Sequence, residues 1–313
     1  MPHDDHHHHG GDTTTIRLVL AIVFNALITA AEFVAGFLAG SLALMADAAH
    51  NLSDTASMGT SLIARKVAAR EADTRRTFGY ERAELIGAFV NLLVLILIAL
   101  YLIVEAVQRS LDPRTIDGEL MIWVGAATLV GNVATAFVLY KPSQGSLNIK
   151  SAFVHIVADA LGSVAVIVGG GLILRYDWTF VDPLLTAGIA AYILIHSSGM
   201  LRETVSILME SAPAGFDIDA MIRRVSALEP VTDVHHVHVW RLDESRVAME
   251  AHVEVAGVGT LHKLDRLKRS IKHLLADEFG IDHATLELEH GACTDKPVLN
   301  PASQTAQAHD TAH

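Results

Sequence analysis

A single cysteine, Cys293, in 313 residues leaves no intramolecular disulfide to form, as suits a domain exposed to a reducing cytoplasm. Positive charge is scarce as well. Twenty-three Lys and Arg stand against 35 Asp and Glu, for a net charge of -12 and a pI near 5.8. That balance, with no basic groove legible anywhere, argues against nucleic acid as a partner. G-x-x-x-x-G-K-[ST] does not occur, so nothing in the chain points to nucleotide hydrolysis as a source of work. H-E-x-x-H is missing too, and with it the general base expected beside the ligands of an intramembrane metalloenzyme. The first apolar run has no short h-region followed by a cleavage site, so a removed signal peptide is not expected.

Apolar residues are what the chain has in excess. They make up 51% of it, and the mean hydropathy of +0.37 is high for a soluble protein. Residues 85–104 and 120–140 contain no charge, and each reaches the length of about 20 that a membrane-spanning helix needs. Four further apolar stretches carry a few polar residues: 16–40, 41–64, 151–174 and 182–201. Six spans follow. Basic residues flank them unevenly: Arg65, Lys66, Arg70, Arg75, Arg76 and Arg82 follow the second span, and Lys141 and Lys150 lie between the fourth and fifth. Opposite loops hold only Arg109, Arg114 and Arg175. Lys and Arg are retained on the cytoplasmic side, which places both termini there.

Beyond residue 208 charge becomes dense, and the pattern reads helix, strand, strand, helix, strand. Residues 219–228 form the first helix. Residues 234–241 and 246–255 alternate and are rich in valine, with Asp243, Glu244 and Ser245 as the turn. Thr260 is a candidate N-cap for a helix that Gly280 stops, and residues 284–289 close the pattern. The fold class is therefore an α-helical membrane protein with six transmembrane helices plus a C-terminal cytoplasmic α+β domain of ferredoxin-like character. Its divisions are a His-rich unstructured tail at 1–15, a membrane domain at 16–208, a metal-binding domain at 209–292 and an unstructured tail at 293–313.

Two copies of one pattern stand out, His50-x-x-x-Asp54 and His155-x-x-x-Asp159, in the second and fifth spans. Ionisable side chains at bilayer depth are expensive and mark function. Four residues along a helix is roughly 6 Å of rise and about 40° of rotation, so each His and Asp share a face. Two such helices face to face supply two imidazole nitrogens and two carboxylate oxygens, a set that Zn²⁺ accepts in tetrahedral geometry. Imidazole also suits Co²⁺, Ni²⁺ and Cu²⁺. Asp47, three residues before His50, is read either as an acceptor or proton relay serving His50 or as a packing carboxylate. Asn25, Glu32, Asn91 and Asn132 are lone polar residues in spans, suited to interhelical hydrogen bonds. His196, with no acid four residues away, is assigned to packing.

The stretch from Ser41 through Asp47 and His50 to Asp54 resembles the second-span signature of the cation diffusion facilitator family of zinc transporters. So do Thr77-Phe-Gly-Tyr80-Glu-Arg-Ala-Glu84 and His155-Ile-Val-Ala-Asp159. The resemblance implies a homodimeric, multi-pass protein of a bacterial inner membrane that exports Zn²⁺, with Co²⁺, Ni²⁺ and Cd²⁺ as alternative cargo of the same site, in exchange for protons. It makes His50, Asp54, His155 and Asp159 the transport site, with Zn²⁺ as substrate and no cofactor. Histidines of the soluble domain bind zinc at the dimer interface in such proteins; the matching positions here are His235, His252, His262 and His290. His236 and His238 are further candidates, since strand positions two apart share a face. An acidic ligand common after the last of these is replaced by Ala292, with Cys293 following. Some members hold another metal in the loop after the second span; Asp73 matches its acid, but Arg76 and Tyr80 stand where its histidines would be. The loop's basic residues point instead to anionic headgroups or to the acidic soluble domain. At the N-terminus, His3 and His6 to His9 with Asp4 and Asp5 are either a metal-loading segment or the remnant of a purification tag. The remaining alternatives are a membrane metal sensor that moves nothing and a channel, which a tight four-ligand site disfavours because conduction needs weak binding.

Overall fold

A computed structural model of the chain describes residues 11–68, 73–80, 82–143, 147–257, 260–291 and 297–298. The N-terminal histidine tract, Arg70, Ala292 and Cys293 lie outside the described residues. The chain divides into two compact units, one of residues 1–71 and 86–202, the other of residues 72–85 and 203–313.

The first unit is built from six long helices: α1 Gly11–Ala39, α2 Leu42–Ala68, α3 Ala83–Leu111, α4 Gly118–Ser143, α5 Leu147–Tyr176 and α6 Val181–Leu208. Helix α1 starts ahead of the expected Ile16. Each has 26 to 30 residues, or about 40 Å at 1.5 Å per residue, enough to cross a bilayer with its headgroup margins. Among the described residues, five of them qualify as membrane spans by length and composition, and α2 does not. Helix α2 is as long as the rest but carries Asp47, His50, Asn51, Ser53, Asp54 and Thr55 in succession. Such a helix can sit in hydrocarbon only if neighbouring helices satisfy its polar groups.

They do so at several heights. The Asn25 amide of α1 donates to the Thr55 hydroxyl at 2.6 Å. Glu32 of α1 accepts from Asn51 at 3.1 Å and from Thr128 of α4 at 3.2 Å. Asn91 of α3 donates to the Ser53 hydroxyl at 3.0 Å, and Asn132 of α4 reaches Ser163 of α5 at 3.5 Å. The four lone polar residues thus take the interhelical role expected of them. Tyr176, Trp178 and Phe180 stack in series at the α5–α6 turn, with ring centroids 5.2 and 5.9 Å apart. An amphipathic aromatic cluster of that kind belongs at the membrane–water boundary.

Helices α4 and α5 approach most closely at glycines. A methyl group on Gly118 would lie 2.6 Å from the Gly170 carbonyl oxygen, and one on Gly170 would lie 2.9 Å from that of Gly118. Small residues let two backbones meet where lipid offers no hydrophobic drive to associate. This contact sets the position of α5, and with it His155 and Asp159.

In the second unit, α7 Ile218–Ser226, β1 Val231–Arg241, β2 Val247–Val255, α8 Leu261–Phe279 and β3 Ile281–Glu289 follow the expected order. The Asp217 side chain caps α7 by accepting from the Ala220 amide at 2.8 Å. Thr260 takes the extended N-cap conformation of α8 without a side-chain bond, and Gly280 ends that helix in the left-handed region at φ 64°. The sheet runs β1-β2-β3, with β1 antiparallel to β2 and β2 parallel to β3 through the α8 crossover. This is the ferredoxin-like βαββαβ order without its first strand. Leu267, Ile271 and Leu275, spaced four apart on α8, join Met221 and Val225 of α7 over the face formed by Val237, Val253 and Leu286.

A methyl group at the α4–α5 contact should be felt by the whole membrane unit. Gly118→Ala and Gly170→Ala are each expected to cost about 1–3 kcal/mol through overpacking against backbone. The measurement is the unfolding temperature of the purified full chain in detergent, and unchanged values for both would refute so close an approach.

Candidate metal centre in the membrane unit

His50 and Asp54 lie one turn apart on α2, and His155 and Asp159 one turn apart on α5. The two helices pair them crosswise. The His155 Nε2 lies 3.0 Å from Asp54 Oδ2, and His50 Nε2 lies 3.5 Å from Asp159 Oδ1. Within each helix the separations are 3.8 Å for His50 and Asp54 and 3.7 Å for His155 and Asp159. Because the earlier residue of one helix meets the later residue of the other, α2 and α5 run antiparallel through the site.

These distances can be tested against a metal. Four ligands at roughly 2.0–2.1 Å from a tetrahedral ion are about 3.3–3.4 Å from one another, since a tetrahedron's edge is about 1.6 times its centre-to-corner length. The observed N···O separations bracket that value. His50, His155 and Asp159 offer ligand atoms all within 4.8 Å of each other, and Asp54 closes the fourth side through its short approach to His155. The imidazole rings stand edge to face, 5.5 Å apart at 68°.

The site has two layers of different accessibility. His50 and Asp159 are 8% and 11% exposed, whereas His155 and Asp54 are 33% and 36% exposed. The first layer is shut into the helix bundle. The second opens toward the C-terminal end of α2 and the N-terminal end of α5. Both ring nitrogens of His50 are buried without a hydrogen-bond partner among the described residues, although Asp159 Oδ1 faces the ring at 3.5 Å.

Asp47 does not orient His50, because neither nitrogen of that ring accepts or donates to it. Its side chain is directed at Glu32 of α1 instead, and joins the Glu32, Asn51 and Thr128 group behind the site. His196 stacks on Tyr192 at 6.0 Å and 8°, and the Tyr192 ring meets His50 edge-on at 6.1 Å. The assignment of His196 to packing therefore places it one ring away from His50. Tyr192, unmarked in the sequence reading, stands one turn before His196 on α6 and is detectable only by that spacing.

In the soluble unit the expected four histidines divide. His235 and His252 are cross-strand partners, with rings 5.6 Å apart. His290 turns away and meets the Val255 carbonyl at 3.0 Å, and His262 is exposed in the first turn of α8. His236 takes their place, with its ring 5.1 Å from His235 and 4.9 Å from His252. His236 and His238, candidates expected to share a strand face, separate because the β1 register shifts between His235 and His238. His236 has φ 49° there, a β-bulge that brings consecutive rings together and leaves His238 exposed. Three acids complete the cluster. His252 Nδ1 pairs with Glu289, and its Nε2 lies 3.5 Å from Glu287, while His235 Nδ1 meets Asp233 at 3.1 Å. The alternation Glu287-Leu288-Glu289 on β3 was a signal that both acids share a face.

In the loop after α2, Asp73, Arg76 and Tyr80 bind one another. The Tyr80 hydroxyl meets Asp73 at 3.1 Å and Arg76 at 3.2 Å, and the Arg76 guanidinium lies over the Tyr80 ring, 4.6 Å from its centre. Asp73 also accepts from the backbone amides of Arg75 and Arg76 at 2.7 and 2.8 Å. Arg82 pairs with Glu210 at 2.9 Å, so at least one basic residue of this region meets the acidic soluble domain.

Residues 18–209 match the family described as "Cation efflux transmembrane domain", and residues 213–291 the one described as "Cation efflux protein, cytoplasmic domain". The zinc transporter ZitB of Pectobacterium atrosepticum is 36% identical over 281 residues, which cover 89% of this chain and 87% of that protein. ZitB of Escherichia coli is 37% identical over 279 residues, 88% of either chain. The cadmium, cobalt and zinc/H(+)-K(+) antiporter of Bacillus subtilis is 34% identical over 260 residues, 82% of this chain and 83% of that one.

The loop clasp carries a pH dependence. Backbone amides of Arg75 and then Arg76, helped by the Tyr80 hydroxyl and the Arg76 charge, hold the Asp73 carboxyl below the usual carboxylate range. A depressed carboxyl stabilises above its unfolded value of about 3.9 and loses that stabilisation as pH falls through the folded value. Amide exchange across residues 73–80, corrected for its intrinsic pH dependence, should be slow and level at neutral pH and quicken below about pH 4. Asp73→Asn should already exchange quickly at neutral pH; slow exchange in that variant would show that the carboxylate does not hold the turn.

Proposed function

This chain is a member of the cation efflux family, and on that premise we propose that it carries Zn²⁺ out of the cytoplasm in exchange for protons through His50, Asp54, His155 and Asp159. One observation carries the reading. Each of the two imidazoles stands 3.0 to 3.8 Å from both carboxylates, across and along α2 and α5, midway along helices of membrane-spanning length. The names of relatives over nearly the whole chain, zinc transporters and a metal–proton antiporter, support the choice of ion and of counter-ion.

The chemistry of exchange follows from the ligands. Imidazole binds metal only when neutral, and its ordinary pKa of about 6.5 puts protonation and metal binding in competition near physiological pH. The two carboxylates offset the ion's charge of +2, which lowers the cost of holding it in a poor dielectric. Protons that reach the site from outside displace the ion and leave the ligands protonated. Those protons are then lost to the cytoplasm before the next ion binds.

The two layers of the site give the cycle a direction. The basic residues Lys66 and Lys150 lie toward the ends of α2 and α5 from which His155 and Asp54 are accessible. By the retention of basic residues that end is cytoplasmic, as are both termini. The arrangement is then the loading state, with Asp54 and His155 meeting the incoming ion first and His50 and Asp159 completing its shell. Tilting of α2 and α5 against the remaining helices would reverse which layer is open, the general logic of transporters with a midplane site.

The soluble domain is assigned to dimer formation, and His235, His236 and His252 with Glu289 to binding a regulatory zinc ion there. A sensor that binds zinc without moving it would need only this cluster.

Reconstitution into vesicles loaded with a zinc-sensitive dye separates these readings. Wild type should take up zinc when a pH gradient is imposed and slow when the gradient is collapsed. Asp54→Ala and Asp159→Ala should each lose more than about 100-fold in rate, beyond the ~10–100-fold typical of residues that only support a ligand. Wild-type transport in both variants would remove the proposed site; zinc binding without transport in the wild type would favour the sensor.

A further inference from the structure

Helix α2 begins abruptly. Gly40, at φ 68°, ends α1, and only Ser41 separates it from the first residue of α2. The opening amides of any α-helix lack partners within the helix. Ser41 supplies one local acceptor, its hydroxyl oxygen taking the Leu44 amide at 3.2 Å. The amides of Leu42 and Ala43 donate instead to the carboxylate of Asp182, at 2.9 and 3.2 Å, and the Ser41 hydroxyl donates to the same group. Asp182 is the second residue of α6 and is fully buried.

The other side of the same turn is held in the opposite sense. Arg109 of α3 donates to the Gly40 carbonyl at the end of α1 and is paired with Glu105 at 3.2 Å. The Asp117 amide, just ahead of α4, donates to the Ala39 carbonyl at 2.9 Å. An anion therefore meets the positive end of α2 and a cation the negative end of α1, each complementing the helix dipole.

We propose that Asp182 is a positioning residue for transport: by clasping the N-terminus of α2 it fixes the height and rotation of the helix that carries His50 and Asp54. The inference rests on reading His50, Asp54, His155 and Asp159 as the transport site. His50 lies two turns beyond the clasp, about 12 Å along the axis, with no break between. Helix α6 touches α2 again at that height, where Tyr192 meets the His50 ring. Two contacts on one helix thus register α2 against α6 at its end and at its metal centre. A helix start needs no remote carboxylate for stability, since a serine, threonine or aspartate at its own N-cap supplies an acceptor locally. Burying Asp182 to do the same work is costly unless the bond between helices is itself the purpose. Metal sites lose function when their ligands stray by as little as about 0.5 Å, so axial freedom in α2 would act directly on zinc affinity.

The test uses the purified full chain with His235→Ala and His252→Ala added, so that zinc bound by the soluble cluster does not mask the membrane site. Zinc binding is measured by titration with the metal alone, ligand geometry by the visible absorption of bound Co²⁺, and KM and maximal rate in vesicles. Asp182→Ala should weaken zinc binding and raise KM by about 10-fold, lower the Co²⁺ band intensity, and leave the maximal rate at saturating zinc within about twofold. Asp182→Asn, which keeps one acceptor oxygen, should fall between. If the alanine variant does not fold, Asp182→Asn and Ser41→Ala decide, each expected to raise KM severalfold in a folded protein. Folded variants with wild-type zinc affinity and Co²⁺ spectrum, altered only in unfolding temperature, would overturn the proposal, as would a fall in maximal rate with KM unchanged. Asp54→Ala runs alongside. If it binds zinc as wild type does, the transport site is wrong; if it does not bind and the Asp182 variants are normal, only the clasp is wrong.

Discussion

Charge cannot be left unpaired in hydrocarbon, and the membrane unit is arranged around the one helix that breaks the rule of apolar composition. Helix α2 is too polar to qualify as a span by itself. It is held by Asn25 and Glu32 from α1, Asn91 from α3, the His155 and Asp159 pair from α5, and Asp182 from α6. The hydrogen bonds among these contacts satisfy groups that would cost several kcal/mol if left bare at that depth. The helix that carries His50 and Asp54 is therefore also the helix to which most others are tied, and the bundle cannot move without changing the surroundings of those two residues.

Much of this was legible in the sequence because helices repeat faithfully. His50 with Asp54 and His155 with Asp159 share faces by the 3.6-residue period alone, and the structure keeps that spacing on both helices. Asn25, Glu32, Asn91 and Asn132 were legible for the same reason: a lone amide or acid in an apolar run must find a partner on a neighbouring helix. Partners themselves were not legible. Asp47 was matched to His50 by proximity along one helix, whereas its neighbour across the bundle, Glu32, is brought near by packing that no local pattern encodes. Asp182 is likewise 139 to 141 residues from the two amides and the hydroxyl it serves.

Strands were less forgiving. A period of two assigns side chains to faces only while the ladder is unbroken, and β1 breaks at His236. That single left-handed residue, whose amide donates to the Pro297 carbonyl, moves His236 beside His235 and His252 and leaves His238 outside the cluster. The family's usual positions, His262 and His290, are not joined to it within one chain. On β3 the period holds, which is why Glu287 and Glu289 both face His252.

The loop of Asp73, Arg76 and Tyr80 bears on how far such a protein can work. Where a loop is folded around a metal ion, depletion of that metal loosens the machine that depletes it, and export becomes self-limiting. Here the guanidinium of Arg76 is covalently part of the chain and is never in short supply. The clasp it makes has the same strength in a starved cell as in a flooded one. A pump with an internal counter-charge of this kind has no floor set by that loop; whatever stops it from draining the cytoplasm must act elsewhere in the chain, through the affinity of the membrane site or through the histidines of the soluble domain.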